Sequence, residues 1–337
     1  MKKILNKLYQ LQSLSELESY DLFSNFINGG ISNIQLTSIL IAIKMRSITP
    51  EEIVGIVKAF LKQCQTFPKP NYLYADIVGT GGDCKHTINI STISALVAAI
   101  ANLKIVKHCN RNISSQSGSS DFLNHYKINL QLSSLQSRNM LDSHNICFLL
   151  ATKYHTGFKQ AMIVRKELST TTLFNIIGPL LNPSSPPLIM IGVYHRTLLS
   201  IIAKSLQLLN YQRAIVIHSN GTDEATVHGI THIVEINDHK IQSYQLTAQH
   251  FGLNIKNNTS LNDIYFKNNY DNINNLLNGN GKLIHMQTIA INVSLLLKLF
   301  GYENLKENTE YALSIIKSGN ILKFMKKISN NYQVRKS

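Results

Sequence analysis

The sequence predicts an α/β protein: a large domain with a mainly parallel central sheet flanked by helices, joined to a small all-helical domain. Two observations predict it. From residue 74 onward, short apolar runs alternate with amphipathic helical stretches, a pattern that places parallel strands between crossover helices. Residues 1–70, by contrast, carry helical spacing and helix-start signals only. With 337 residues, 44% of them hydrophobic, the chain can bury a core for both parts.

In the N-terminal part, Thr49-Pro50-Glu51-Glu52 reads as a helix start, with an N-cap Thr, Pro at the first helical position and Glu completing a capping box. Glu51 and Glu52 are therefore read as capping residues, not catalytic ones. Phe67-Pro68-Lys69-Pro70 stops this region. Strands are expected at 74–78, 104–108, 146–151, 188–194 and 214–218, with an amphipathic helix at 197–209. A hairpin is expected around Asn237-Asp238, between 233–236 and 241–245. Helical apolar spacing returns at 283–299 and 309–317, while the Asn-rich stretch 254–280 reads as surface loops and short helices.

Apolar stretches such as 94–101 and 293–300 fall well short of the roughly 20 residues of a membrane span. The opening Met1-Lys2-Lys3-Ile4-Leu5 is charged like a secretory leader, yet Asn6, Lys7, Gln10 and Gln12 interrupt any apolar run, so a cytoplasmic N-terminus is expected. Cys64, Cys84, Cys109 and Cys147 form no Cys-x-x-Cys pair, which argues against a zinc ribbon and a disulfide framework. Lys and Arg number 33 against 19 Asp and Glu, a net charge of +14 that favours anionic partners without choosing among nucleic acid, acidic lipid and phosphorylated metabolites.

Four segments carry chemistry. In Asp76-Ile77-Val78-Gly79-Thr80-Gly81-Gly82-Asp83, a glycine-rich loop leaves a strand, and Asn89-Ile90-Ser91-Thr92 then opens a helix. Glycines admit a ligand close to the backbone, and a helix start offers N–H groups to an anion, so this is a phosphate cradle or else a tight turn with no ligand. Its spacing matches neither a Walker loop nor the dinucleotide fingerprint. The second segment, 107–121, leaves the next strand and would open on the same sheet edge. Its Lys107 and Arg111 suit phosphate oxygens, and its serines can wrap them; a solvated Ser-rich loop is the alternative.

In the third, Gly221-Thr222-Asp223-Glu224, two carboxylates stand at a strand end in an acid-poor chain. With the Ser91 hydroxyl they suit magnesium held against a diphosphate, or they cap a helix. The fourth runs from Lys153-Tyr154-His155 to Arg165, which could clamp a carboxylate bidentately or lie on a helix surface. His228 and His232 are read as structural.

Together with Lys7-Leu8-Tyr9 and Phe174-Asn175-Ile176-Ile177-Gly178-Pro179-Leu180-Leu181-Asn182-Pro183, these segments resemble the anthranilate phosphoribosyltransferase family along nearly the whole chain. The resemblance implies a fold of the nucleoside phosphorylase/phosphoribosyltransferase type. It implies a small helical domain from residues 1–70 with an inserted piece near 157–172, over a large domain from 71–156 and 173–337. It also implies a homodimer with the active site in the cleft. Carried over by position, phosphoribosyl pyrophosphate would meet Gly79, Gly82, Asp83, Thr87, Asn89, Ile90, Ser91, Thr92, Lys107, His108, Asn110, Arg111, Ser114, Ser115 and Ser119. Anthranilate would meet Gly79, Asn110 and Arg165, with His108 and His155 lining its path, and Ser91, Asp223 and Glu224 would hold two Mg2+ ions. No covalent or general-base catalyst is implied.

The chain carries no glutamine amidotransferase segment and so resembles the stand-alone form; the sequence leaves association with anthranilate synthase open. Departures from the family pattern are Cys109 for the Gly of Lys-His-Gly-Asn-Arg, Cys84 for a further Gly after Gly-Gly-Asp, Thr222 for Met, and Thr152 and Ile163 for prolines. A left-handed backbone at Cys109 would carry strain on the order of 1 kcal/mol. The competing readings are a pyrimidine nucleoside phosphorylase of the same fold, against which Asn110 and Arg165 argue, and a nucleic-acid-binding relative without catalysis, which the retained Asp223, Glu224 and Arg165 disfavour.

Overall fold

The computed structural model describes residues 1–81, 89–110, 118–254 and 270–333. Four helices lead the chain: α1 (Lys2–Tyr9), α2 (Glu16–Ile27), α3 (Asn33–Arg46) and α4 (Pro50–Lys62). Capping boxes open three of them. Thr49 Oγ1 accepts from the Glu52 N–H and the Glu52 carboxylate accepts from the Thr49 N–H, while Ser15 with Glu18 and Ser32 with Gln35 do the same for α2 and α3. Glu52 does more than cap. Buried, it also accepts from the Leu14 N–H at 2.9 Å and from Arg46 Nη1 at 2.9 Å, which ties the α1–α2 loop to the α3–α4 link.

The sheet contains β1 (Ala75–Gly79), β2 (Ile105–Cys109), β3 (Ile146–Leu150), β4 (Leu188–Gly192), β5 (Arg213–Ser219), β6 (Thr231–Asn237) and β7 (Lys240–Leu246), in the order β3-β2-β1-β4-β5-β6-β7. The first five are parallel, and β6 and β7 add an antiparallel hairpin at one edge. All five parallel strands fall where the apolar runs place them, within two residues at each end. The hairpin turn sits one residue later than expected. Asn237 pairs with Lys240, so Asp238 and His239 make the turn, with φ of 47° and 64° as a type I′ turn requires.

Period-2 alternation divides the sheet between two cores. Ile189 and Ile191 of β4, Ala214 and Val216 of β5, and Val234 and Ile236 of β6 share a core with Phe23, Phe26 and Phe60 of the N-terminal helices. Leu188, Met190, Ile215, Ile217 and Ile233 face the other way, into a core with helix α5 (Ile90–Ile100). After α5 come α6 (Ser119–His125), α7 (Ser134–His144), the short α8 (Ala151–Tyr154), α9 (Phe158–Leu168), α10 (Leu173–Ile177) and α11 (Leu198–Leu208). Phe158, Ala161 and Val164 turn α9 into the first core, against Phe60.

Helices α12 (Tyr270–Leu277), α13 (Leu283–Leu299), α14 (Leu305–Lys317) and α15 (Asn320–Asn331) complete the second layer. Helix α13 is apolar all round because it is buried nearly all round, between α5, α14 and the sheet. Of the Asn-rich stretch, 270–277 forms α12, and 255–269 lies outside the described residues. Among the described residues no helix is long and apolar enough to cross a membrane.

Candidate active site

The strand order reverses between β1 and β4: the chain runs outward from β1 to β2 and β3, then returns to lay β4 on the other side. In open parallel sheets the crevice at such a point, outside the carboxyl ends of the strands, is where ligands bind. Here the two strands end on paired glycines, Gly79 beside Gly192. The loop after β5 crosses these ends and brings Asp223 over them. A Cβ on Gly79 would lie 2.2 Å from Asp223 Oδ2, and one on Gly192 would lie 1.4 Å from the Asp223 carbonyl oxygen, so no side chain fits at either position. The Gly81 N–H, in a turn where Gly81 takes φ +60°, donates to Asp223 Oδ2 at 2.7 Å.

The loop is built tightly. Ser219 and Thr222 exchange backbone hydrogen bonds, and the Thr222 hydroxyl donates to the Ser219 carbonyl at 2.7 Å. Thr222, a departure from the family pattern, thus closes the turn that presents the acidic pair. Beyond the mostly buried Glu224, Asn292 of α13 donates to the Ala225 carbonyl at 2.8 Å and accepts from the Ala225 N–H at 3.2 Å. Sequence reading missed Gly192 and Asn292. For Asn292 a signal existed, an amide inside the otherwise apolar run 289–293; Gly192 looks like any strand-end glycine until the register is known.

Lys107 of β2 runs under this crevice and is almost wholly buried. Its Nζ donates to the Ile77 carbonyl at 2.7 Å and to Ser91 Oγ, in the first turn of α5, at 3.3 Å. Burial lowers its pKa, opposed by the carboxylates of Asp76, Glu224 and Asp223 around it. Gly79, Gly81, Ser91, Lys107, Asp223 and Glu224 therefore meet at one sheet edge. Asn89 precedes α5, and Ile90 and Thr92 are buried in its first turn; Asn110 follows β2, and Ser119 opens α6. Gly82, Asp83, Thr87, Arg111, Ser114 and Ser115 lie outside the described residues, as does Cys84.

The donor set is all oxygen. Among the described residues no three His, Cys, Asp or Glu gather as a metal cage. Two adjacent carboxylates and a serine hydroxyl fit magnesium, which takes one or two carboxylates and completes its octahedron with phosphate oxygens and water. The expected metal residues thus suit the ion together with a diphosphate. His232 lies on β6 opposite His218, whose Nδ1 contacts the Val193 carbonyl at 2.8 Å, in keeping with a structural reading.

The opposite wall is aromatic. His108 lies in β2 and His155 follows α8, their rings edge to face at 5.8 Å. His155 continues the chain to Phe158 at 5.6 Å, and Phe158 to Phe174 at 5.9 Å. The Arg165 guanidinium of α9 stands 5.8 Å from the Phe174 ring centre, with Nη2 3.4 Å from Asn175 Oδ1. Burial, reinforced by the charge of His155, pushes the His108 pKa down to about 3, and burial pushes that of His155 down to about 4. Both rings are neutral at pH 7. The His155 Nε2 lies 2.7 Å from the Leu181 carbonyl, which can only accept, so Nε2 carries the proton.

Arg165 keeps its charge, burial having lowered its pKa only to about 10. It is thus the cation on this wall suited to a carboxylate. Lys153, by contrast, spends its ammonium on the Gln131 and Leu132 carbonyls. Cys109 lies within β2 and is not among the positive-φ residues, so the strain considered for it is absent. Thr152 sits inside α8 and Ile163 on the exposed side of α9.

The model of the glycosyl transferase family helical bundle domain matches residues 2–64, and that of the glycosyl transferase family a/b domain matches residues 71–322. The anthranilate phosphoribosyltransferase of Buchnera aphidicola subsp. Acyrthosiphon pisum (strain Tuc7) is 51% identical over 330 residues, 98% of this chain and 96% of the relative. The crystal structure of anthranilate phosphoribosyltransferase from Thermus thermophilus superposes with a TM-score of 0.89 at 27% identity, covering 97% of this chain and 98% of that one. The Saccharomyces cerevisiae enzyme in complex with PRPP and Mg superposes with a TM-score of 0.84 at 25% identity, covering 98% and 99%. With half its residues shared over almost its full length, and with the crevice and aromatic wall in place, the chain belongs to the anthranilate phosphoribosyltransferase family.

Proposed function

We propose that this chain transfers the phosphoribosyl group of phosphoribosyl pyrophosphate to the amine of anthranilate, giving N-(5-phosphoribosyl)anthranilate and pyrophosphate, the second step from chorismate to tryptophan. The observation that carries the reading is the pairing of two unlike walls. A glycine-floored crevice with an acidic pair and a buried lysine is joined, through His108 and His155, to an aromatic wall that ends in Arg165.

The diphosphate is assigned to the glycine turn and the start of α5, with Gly79, Asn89, Ile90, Ser91 and Thr92 and, on the sequence pattern alone, Gly82, Asp83 and Thr87. Lys107, His108, Asn110 and Ser119 are assigned to it as well, with Arg111, Ser114 and Ser115 on the sequence pattern alone. Ser91, Asp223 and Glu224 would hold two magnesium ions, which when bound would supply positive charge for the departing diphosphate. Arg165 takes the anthranilate carboxylate, with Gly79 and Asn110 beside the ring. The neutral His108 and His155 give that ring an uncharged wall and keep water from it. The anthranilate amine is itself a nucleophile, so displacement at C1 of the ribose, through a transition state of oxocarbenium character, needs no activated side chain. Cys109 supplies none, since burial pushes its thiol up to about 12.

Residues 1–70 and 157–172 are assigned to a small helical domain, and 71–156 with 173–337 to the large one; the position of α9 in the N-terminal core supports this division. A homodimer is supported by the outer face of α3, where Ile34, Ile41 and Met45 follow one another at helical spacing, Ile34 81% and Met45 73% exposed. A cytoplasmic setting is supported by Cys64, Cys109 and Cys147, all free thiols. The test is anthranilate fluorescence. It should decay when phosphoribosyl pyrophosphate and magnesium are added together and persist when either is left out. Steady fluorescence, with phosphorolysis of a pyrimidine nucleoside instead, would overturn the reading.

A further inference from the structure

Strands β1 and β2 are neighbours, yet their register holds a single pair, Ala75 with Ile105, before they part. On its other side β1 stays in register with β4 along all five residues, and β2 does the same with β3. The seam between β1 and β2 therefore opens toward the crevice, and backbone groups that a ladder would satisfy are taken by side chains instead. The Ile77 carbonyl accepts from Lys107 Nζ at 2.7 Å. Asn182 Nδ2 donates to the Val106 carbonyl at 2.8 Å. The His108 N–H, 3.3 Å from Oδ1 and 3.4 Å from Oδ2, turns to the Asp76 carboxylate.

These substitutes hold one another. Asn182 Nδ2 also donates to Asp76 Oδ2 at 2.8 Å, and Asn182 Oδ1 accepts from the Ser184 N–H at 2.9 Å and from the Ser184 hydroxyl at 2.8 Å. All four hydrogen bonds open to the amide are made, so its orientation is fixed. The Ser184 carbonyl accepts in turn from the Tyr74 hydroxyl at 2.7 Å. Asp76, Lys107, Asn182 and Ser184 are all buried, and a buried ammonium needs both a counter-charge and acceptors to stay where it is.

We propose that Asp76 and Asn182 are positioning residues: by wedging the β1–β2 seam open they hold the Lys107 ammonium between the Ile77 carbonyl and Ser91, at the mouth of the crevice where the diphosphate binds. Neither residue touches substrate; both act through Lys107 and the path of β2. Closing the seam into an ordinary ladder would draw Lys107 back into the sheet. The inference rests on the phosphoribosyl-transfer reading above, and concerns the diphosphate half of that site alone.

The test is a double-mutant cycle on the full chain, with Asp76→Asn, Lys107→Met and the double variant, following steady-state kinetics for both substrates and thermal unfolding. Asparagine can keep an acceptor oxygen toward Asn182 and His108 while losing the charge. For Asp76→Asn we expect the KM for phosphoribosyl pyrophosphate to rise about tenfold or more, with the KM for anthranilate held within about twofold. In the Lys107→Met background the same change should cost less than about twofold further, because its target is gone. Equal and additive losses in both backgrounds, or a fall in active protein with both KM values unchanged, would overturn the proposal. If Asp76→Asn does not fold, Asn182→Ala completes the cycle under the same criteria. A wild-type chain that leaves anthranilate unconsumed sinks the functional reading and this inference together, whereas an active wild type with additive variants sinks the inference alone.

Discussion

On the sheet side of the cleft, Asp223 reaches the glycine turn because the paired strand ends Gly79 and Gly192 carry no Cβ, so the geometry there is fixed by backbone. On the helical side, Arg165 reaches the cleft on a side chain from α9, steadied by one ring and by one amide contact of 3.4 Å. The difference teaches where each half can tolerate change. A charge aimed by backbone has no second position to fall back on, while a cation on a long flexible stem can be lost with the remaining wall intact. Removing the acidic pair on the sheet side should therefore be all or none, and removing Arg165 on the helical side graded.

The sharpest test of that contrast is to remove both acids. Asp223→Asn with Glu224→Gln should lower kcat on the order of a thousandfold or more, and raising magnesium should not restore it. Near-normal turnover would sink the metal assignment. This half of the site was largely legible: the glycine turn, Ser91, Lys107 and the acidic pair each sit in a local pattern with a chemical meaning. What could not be read was why they meet. The β5 loop crosses β4 to reach β1, which depends on strand order, and Gly192 and Asn292 matter only once that crossing is known.

Arg165→Ala should give the graded response. With a charged hydrogen-bonding partner of the carboxylate gone, the KM for anthranilate should rise about 10- to 100-fold, while the KM for phosphoribosyl pyrophosphate hardly moves. Parallel loss in both constants would join the two walls and break the contrast. This wall was the less legible one. Sequence offered Arg165 and two histidines, but not the ring contacts through Phe158 and Phe174, which assemble from separate helices. Nor did it show that both histidines would be held neutral, because that follows from burial, which periodicity at 107–110 and 153–155 does not report.

The neutral histidines make folding pH-dependent. The pKa of His155 falls from an ordinary 6.5 to about 4 in the folded chain, so the unfolded state binds the extra proton across that interval. Its contribution to stability is full above pH 6.5 and is lost as the pH falls toward 4. His155→Gln keeps a donor for the Leu181 carbonyl but cannot titrate, and should shrink the stability lost between neutral and mildly acid pH by about 2 kcal/mol. Urea unfolding at the two ends of that range measures it, and an unchanged acid limb would mean that this part of the wall is wet.

The smallest effect belongs to Cys109, the family departure nearest the junction of the two walls. Were its backbone left-handed, Cys109→Gly would relieve strain and stabilise the chain. Instead Cys109 closes β2 in ordinary strand geometry, fully buried, with its thiol 3.6 Å from the Lys107 carbonyl. Glycine there would empty packed space and loosen the strand in the unfolded chain, so the variant should lose about 1 to 2 kcal/mol. Thermal and urea unfolding decide the sign, and a gain would show that the strand end is strained after all. The direction matters beyond stability, because β2 delivers Lys107 and His108 to opposite walls in successive residues. A looser β2 should disturb the sheet side first, raising the KM for phosphoribosyl pyrophosphate before that for anthranilate, since the Lys107 ammonium depends on the carbonyl and the hydroxyl it reaches.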